Sequence, residues 1–191
     1  MKLSEKINIV QSKIYKEEIE LDDDGSAIVR INITNAESLM SVYNDAGKEI
    51  ISTDTAEFIN NVTKPIPVKQ NIHLKISCDE YTKDKEECYK TAISNYYVNE
   101  FAHIDAKLRS NLSHSVALLI IGIIAFTCLY FLGKINVPDI IYLLFEVFSW
   151  VFVWEAVDNL WIRRHELRTK RNKLLQIIFA KITFSSLKDK K

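Results

Sequence analysis

Ser115–Gly133, SVALLIIGIIAFTCLYFLG, carries no charged residue and is long enough to cross the roughly 30 Å hydrocarbon core of a bilayer as a helix. A second apolar stretch, Asp139–Trp161, DIIYLLFEVFSWVFVWEAVDNLW, follows the short link Lys134–Pro138 and has only Glu146 as an internal charge before Glu155. Pro138 suits a helix start, where its missing N–H is not needed. The pair reads as a transmembrane hairpin over 115–161, with spans of about 115–133 and 139–158. Each helix closes its own backbone hydrogen bonds, so two can exist in lipid without further scaffold. Tyr130, Tyr142, Trp154 and Trp161 fall near the span ends, where amphipathic rings favour the interface.

Basic residues set the expected orientation. Arg163, Arg164, Arg168, Lys170, Arg171 and Lys173 follow the second span, Lys107 and Arg109 precede the first, and the connecting loop holds only Lys134. Both termini are therefore expected in the cytoplasm, in a multi-pass integral membrane protein. The basic run is read as setting topology and touching anionic headgroups rather than nucleic acid. Charge along the chain agrees: 14 basic and 19 acidic residues precede Ser115, and 11 and 6 follow from it onwards. An acidic solvated part and a basic membrane-facing part are expected.

The start, MKLSEKINIVQSKIYKEEIELDDDG, has no continuous apolar run and carries acids early, so the N-terminal part is expected to stay on the side where it is made. The triplets at Asn32, Asn61 and Asn111 are then not glycosylation sites. Residues 1–80 read as strands and turns. Ala27–Thr34, AIVRINIT, alternates and is β-branched; Val42–Ile51 has Asn44, Asp45, Ala46 and Gly47 between apolar pieces, as a hairpin would; Asn71–Ser77 alternates again. The expected product is a small antiparallel β sandwich or barrel of about six or seven strands, in an α+β membrane protein. Asp22, Asp23, Asp24 and Gly25 read as a solvated turn, since they lack the spacing of a calcium loop.

From Thr82 the period changes. Ile93, Tyr97, Phe101, Ile104 and Leu108 share one helical face, predicting an amphipathic connecting helix over 81–114 that no Gly or Pro interrupts before Ser115. Thr82 with Asp84, Glu86 and Glu87 suits its N-terminus. Tyr89, Tyr96 and Tyr97 offer a binding surface or helix-to-sheet packing. The remainder, 162–191, reads as a basic helix with an apolar stripe and a frayed tail from Thr183.

Several chemistries are disfavoured. Four glycines, Gly25, Gly47, Gly122 and Gly133, do not make a phosphate-cradling loop. His73, His103, His114 and His165 are scattered, so no metal site is expected. Cys88 and His103 lie too far apart along one helix to act as nucleophile and base. Cys78, Cys88 and Cys128 are expected as reduced thiols. No catalytic set and no cofactor are expected.

The candidate site lies in the hairpin. Glu146 is an acid inside an apolar helix, a position that marks an ion path, a proton relay or a helix contact. Packing or assembly is the favoured reading, with Thr127 or another subunit as partner and with Trp150 and Trp154 on the same face. Glu155 and Asp158, three apart near the interface, are expected to pair with Arg163, Arg164 or a neighbouring chain. The expected function is a non-enzymatic membrane protein whose cytosolic β domain binds a partner or ligand and couples it to the hairpin, as a homo-oligomer. A pore-forming effector lined by Glu146 is the alternative, and an enzyme acting at the membrane interface the lesser one.

Overall fold

The computed structural model describes residues 20–43, 48–80, 85–135 and 137–186. Two expected strands form where the β-branched residues alternate: β1, Ala27–Asn35, and β2, Ile72–Glu80. They run parallel, Ala27 opposite Ile72 and Ile33 opposite Cys78. A third strand, β3, Lys181–Ser186, lies parallel to β2 on its other side, with Ile182 opposite Leu74 and Phe184 opposite Ile76. One open sheet of order β1-β2-β3 results, which overturns the expected antiparallel sandwich or barrel. The frayed tail is corrected too, because Thr183 sits inside β3.

Parallel neighbours require a crossover between them, and both crossovers are helical. The first is α1, Thr53–Thr63, in a stretch expected to hold strands and turns. Ser52 caps it, its Oγ accepting from the Thr55 N–H at 3.2 Å, and Asp54 in the first turn complements the helix dipole. Ala56, Ile59 and Thr63 turn inward at helical spacing. The expected hairpin turn at Asn44–Gly47 lies outside the described residues. Its flanks, Met40 and Ile51, pair as an isolated antiparallel bridge.

The second crossover carries both apolar stretches. Helix α2, Glu86–Leu132, joins the expected connecting helix and first span into one 47-residue helix, about 70 Å long at 1.5 Å per residue. Its expected cap Thr82 lies outside the described residues. Helix α3, Asp139–Asp158, has Pro138 at its N-cap. A π-helical turn, Asn159–Arg163, leads into α4, Arg164–Ile178, and then β3.

Contacts divide the chain into two units, Met1–Tyr97 with Gln176–Lys191, and Val98–Leu175. The second is thus inserted in sequence between β2 and β3. In the first, Val29, Ile31, Leu74, Ile76 and Cys78 are buried on one sheet face, together with Ala56 and Ile59 of α1 and Tyr89, Ile93 and Tyr97 of α2. Tyr97 Oη donates to the Ala56 carbonyl at 3.2 Å, and the Tyr89 ring lies 5.8 Å from that of Phe184. Gln176 Nε2 donates to the carbonyls of Pro67 and Gln70, fixing the end of α4 beside the loop that follows α1.

In the second unit α2 and α3 form an antiparallel seam of small side chains. Ser115 and Gly122 of α2 and Ser149 and Ala156 of α3 are buried, each pair seven residues apart. A Cβ on Gly122 would sit 2.8 Å from Val153 Cγ2, and the Phe126 and Trp150 rings meet edge to face at 5.5 Å. Close backbone approach at small residues is how helices pack where lipid removes the hydrophobic drive between them. Ser115 and Ser149 return their hydroxyls to the carbonyls of Asn111 and Phe145, four residues back. Both helices are long and apolar enough to cross a membrane, and only 22% and 11% of their most apolar windows is buried. The core helix of a soluble protein would be mostly buried, so this exposure supports membrane association.

Candidate functional site

The hairpin residues singled out in the sequence separate into packed and unpaired. Trp150 meets Phe126 edge to face although it is itself exposed, and Trp154 is exposed too. Thr127 Oγ1 donates to the Ile123 carbonyl of its own helix at 2.8 Å and does not serve Glu146. Glu146 is half-buried, and among the described residues no hydrogen bond or ion pair reaches its carboxyl.

At the end of α3 the expected pairing with Arg163 forms: its side chain lies 3.6 Å from Glu155 Oε1 and 3.3 Å from Asp158 Oδ2. Asn159, which carries no signal in the sequence, is the buried centre of this layer. Its Nδ2 donates to the Glu155 carbonyl and to Glu155 Oε1, and its own carbonyl accepts from Asn111 Nδ2 at 2.8 Å. Asn111 thereby ties α2 to the π turn, where an extra residue per turn leaves carbonyls in need of partners.

The basic run is likewise divided. Arg171 Nε lies 3.1 Å from Asp105 Oδ1, off-line for a hydrogen bond but close enough to pair, and the guanidinium covers the Phe101 ring at 5.1 Å. Burial pushes the Lys173 ammonium below its usual range. Arg164 and Arg168 have no acidic partner among the described residues. With Leu160, Trp161 and His165 they line a cleft of about 220 Å³. Lys170 is exposed and outside it.

A larger cleft, of about 520 Å³, belongs to the sheet unit and has no counterpart in the sequence reading. Its walls follow the carboxyl ends of β1 and β2: Glu37, Met40, Val42 and Tyr43 after the first, Lys85, Cys88 and Tyr89 after the second, with Glu49 and Ile50 closing it. Carboxyl ends of parallel strands are where open α/β sheets take ligands, because loops diverge there and leave a crevice. Lys85 Nζ donates to Glu37 Oε1 at 2.6 Å, which lowers the Glu37 carboxyl and raises the Lys85 ammonium from their ordinary values. Cys88 Sγ donates to Glu49; the carboxylate, then burial, hold this thiol above its usual range, in its protonated form. Burial raises Tyr89 as well. The cleft thus presents a cation, two carboxylates and exposed apolar side chains, Val42 and Tyr43, a combination suited to a small polar ligand or a peptide segment.

The sheet also assembles a set that chain order hid. His73 Nδ1 lies 2.5 Å from Asp22 Oδ2, and His73 Nε2 lies 2.9 Å from Thr183 Oγ1, joining residues 51 and 110 positions apart. His73 is only 4% exposed. The His73 hydrogen bond, with Lys75 at 3.7 Å, lowers the Asp22 carboxyl below its ordinary value. Asp22 therefore does more than solvate the turn at Gly25, where φ is 74°. Carboxylate, imidazole and hydroxyl in this order resemble an acid–base relay, but the hydroxyl belongs to a sheet strand, and Ser77 and Ser185 bond alongside it at 3.0 Å. The arrangement clasps β3 to β2. Among the described residues no group of three potential ligands is placed to hold a metal ion, and the cysteines Cys78, Cys88 and Cys128 are free thiols.

Comparison with family models, curated proteins and solved structures found no match to this chain. Its function has to be read from its own geometry.

Proposed function

We propose that this is a membrane-anchored, non-enzymatic protein whose cytosolic α/β unit takes a small ligand or partner segment in the cleft at the carboxyl ends of β1 and β2, and whose hairpin responds. The observation that carries this reading is the continuity of α2: the same helix supplies Cys88 and Tyr89 to the cleft and Ser115, Gly122 and Leu129 to the hairpin seam. A helix without a break transmits displacement of one end to its other residues. The pairing of β3 with β2 supports a two-pass topology, because chain on either side of the hairpin shares one sheet and so belongs on one side of the bilayer. The basic residues after α3 favour the cytoplasmic side.

Coupling is reciprocal, so it is testable without knowing the ligand. With Cys78 buried and Cys128 in the span, Cys88 is the thiol open to aqueous reagents. Full-length protein in nanodiscs, with Cys128→Ala as background, is alkylated with iodoacetamide with and without Gly122→Leu. A several-fold change in Cys88 rate supports the relay; an unchanged rate, while hairpin crosslinking changes, means the units act independently.

A second element of the reading is homo-oligomerisation through α3. The half-buried Glu146 carboxyl has no partner in its own chain among the described residues, and an acid in lipid seeks one. A defined oligomer in nanodiscs that dissociates on Glu146→Leu is the expected result; a monomer in both cases removes it. The same unpaired acid favours a pore as the alternative. Several hairpins would be required, since two helices enclose no channel. Liposome ion flux that is abolished by Glu146→Gln would establish the pore; absence of flux would discard it.

A further inference from the structure

We propose that the cleft lined by Leu160, Trp161, Arg164, His165 and Arg168 is a binding site for the phosphate of an anionic phospholipid headgroup. The inference rests on the membrane reading above and adds a particular lipid class and its residues. Arg164 and Arg168 stand at i and i+4 at the start of α4, and His165 and, from the π turn, Trp161 line the same cleft with them. They surround a space of about 220 Å³, the size of a headgroup rather than of a large solute. Two neighbouring arginines are otherwise engaged: Arg163 with Glu155 and Asp158, Arg171 with Asp105 and Phe101. Among the described residues Arg164 and Arg168 have no acidic partner, and Arg164 Nε is buried without a hydrogen-bond partner. A buried guanidinium nitrogen left unmet is costly unless an acceptor arrives, and phosphate oxygens match the guanidinium fork.

The π turn explains why the site falls here. One extra residue in the turn rotates the succeeding helix by about 100° relative to an uninterrupted α-helix. Arg164 and Arg168 thereby take the places that residues 163 and 167 would have held, and come round to the face that the α3 seam residues Ser149 and Ala156 continue. Trp161, 78% exposed immediately after the span, occupies the depth at which indole rings meet headgroups. Cation pair, unmet donor, imidazole and interfacial indole converge on one chemistry, a phosphodiester at the membrane surface.

The test uses full-length protein carrying Trp150→Phe and Trp154→Phe, so that Trp161 is the remaining indole. It is reconstituted into phosphatidylcholine nanodiscs containing increasing fractions of acyl-brominated phosphatidylglycerol. Quenching should saturate at low phosphatidylglycerol fraction, showing local enrichment. Arg164→Gln and Arg168→Gln should each lower that preference about fivefold, as expected for about 1 kcal/mol per basic residue near an anionic surface. Lys170→Gln, outside the cleft, should lower it less. Quenching that tracks bulk composition, or equal effects of all three substitutions, overturns the site while leaving a membrane protein with diffuse headgroup contact. Relief of quenching by inorganic phosphate assigns the cleft to free phosphate and overturns the lipid. If the protein fails to co-float with vesicles of any composition, the membrane reading falls, and this one with it.

Discussion

The two units of this chain handle apolar side chains in opposite ways. Around the sheet, Leu74, Ile76 and Ile59 are essentially withdrawn from solvent, while on the hairpin Ile123, Leu144 and Val151 remain exposed and a narrow seam, mostly of small residues, is closed. In the first, stability comes from removing apolar surface from water, at roughly 25 cal/mol per Å². In a bilayer, lipid is as apolar as such side chains, and helices there are held together by close backbone approach and satisfied polar groups, which is what the seam of the second unit offers. The same residue types therefore mean different things in the two places, and substitutions should reveal it.

The largest contrast is between Leu74→Ala and Ile123→Ala. The first leaves a cavity beneath the central strand and should cost about 2–5 kcal/mol in a urea titration of the nanodisc-bound protein followed by proteolysis of the sheet unit. The second removes an exposed side chain of the hairpin and should leave that midpoint unchanged. Equal effects would break the comparison.

Next is Gly122→Leu. The side chain meets Val153 at the seam, and overpacking of this kind costs about 1–3 kcal/mol. Disulfide trapping between cysteines placed at Phe126 and Trp150 should fall, whereas the sheet unit's urea midpoint should hold.

A smaller, pH-dependent effect is expected at the strand clasp. Hydrogen bonding from His73, with Lys75 nearby, holds Asp22 below its ordinary value of 3.8. A depressed carboxyl contributes stability that is present above the unfolded value and is lost as pH falls through the lower folded value. Wild type should therefore exceed Asp22→Asn near pH 7, and the two curves should converge below about pH 4. Parallel curves across that window would show that the clasp carries no linked proton.

The smallest effect on stability, and the clearest on reactivity, is at Cys88. The Glu49 carboxylate keeps the thiol protonated, so Glu49→Gln should speed alkylation at pH 7.5 while leaving thermal unfolding alone. A slower reaction would mean that Glu49 serves as a base for the thiol.

Within the sheet, β1 and β2 were legible because Ala27–Thr34 and Asn71–Ser77 alternate over their whole length, and alternation is a local property of an extended chain. Strand direction was not. It depended on recognising α1, whose Ser52 cap and inward Ala56, Ile59 and Thr63 sit in a polar, Asn-rich stretch that resembles turns. β3 was hidden for a similar reason. Lys181–Ser186 is short and ends in serines, and it becomes a strand because β2 offers it a free edge and Phe184 packs on Tyr89. The cleft residues Glu37, Glu49 and Lys85 carried no signal, being ordinary surface charges until strand ends gather them. Cys88 finds its partner in Glu49, 39 positions upstream, rather than in His103 of its own helix.

By itself, the sequence determined what is written in short-range hydropathy and period: the two apolar helices, the long helical run ahead of them and the acid at Glu146 within the second. Only the tertiary structure decided that the strands are parallel, that the hairpin is an insertion between neighbouring strands, and that Asp22 meets His73 and Thr183. The physical reason is range. Burial preference and helical or extended period are properties of adjacent residues, whereas partner, direction and site are set by which distant segments can close their hydrogen bonds together.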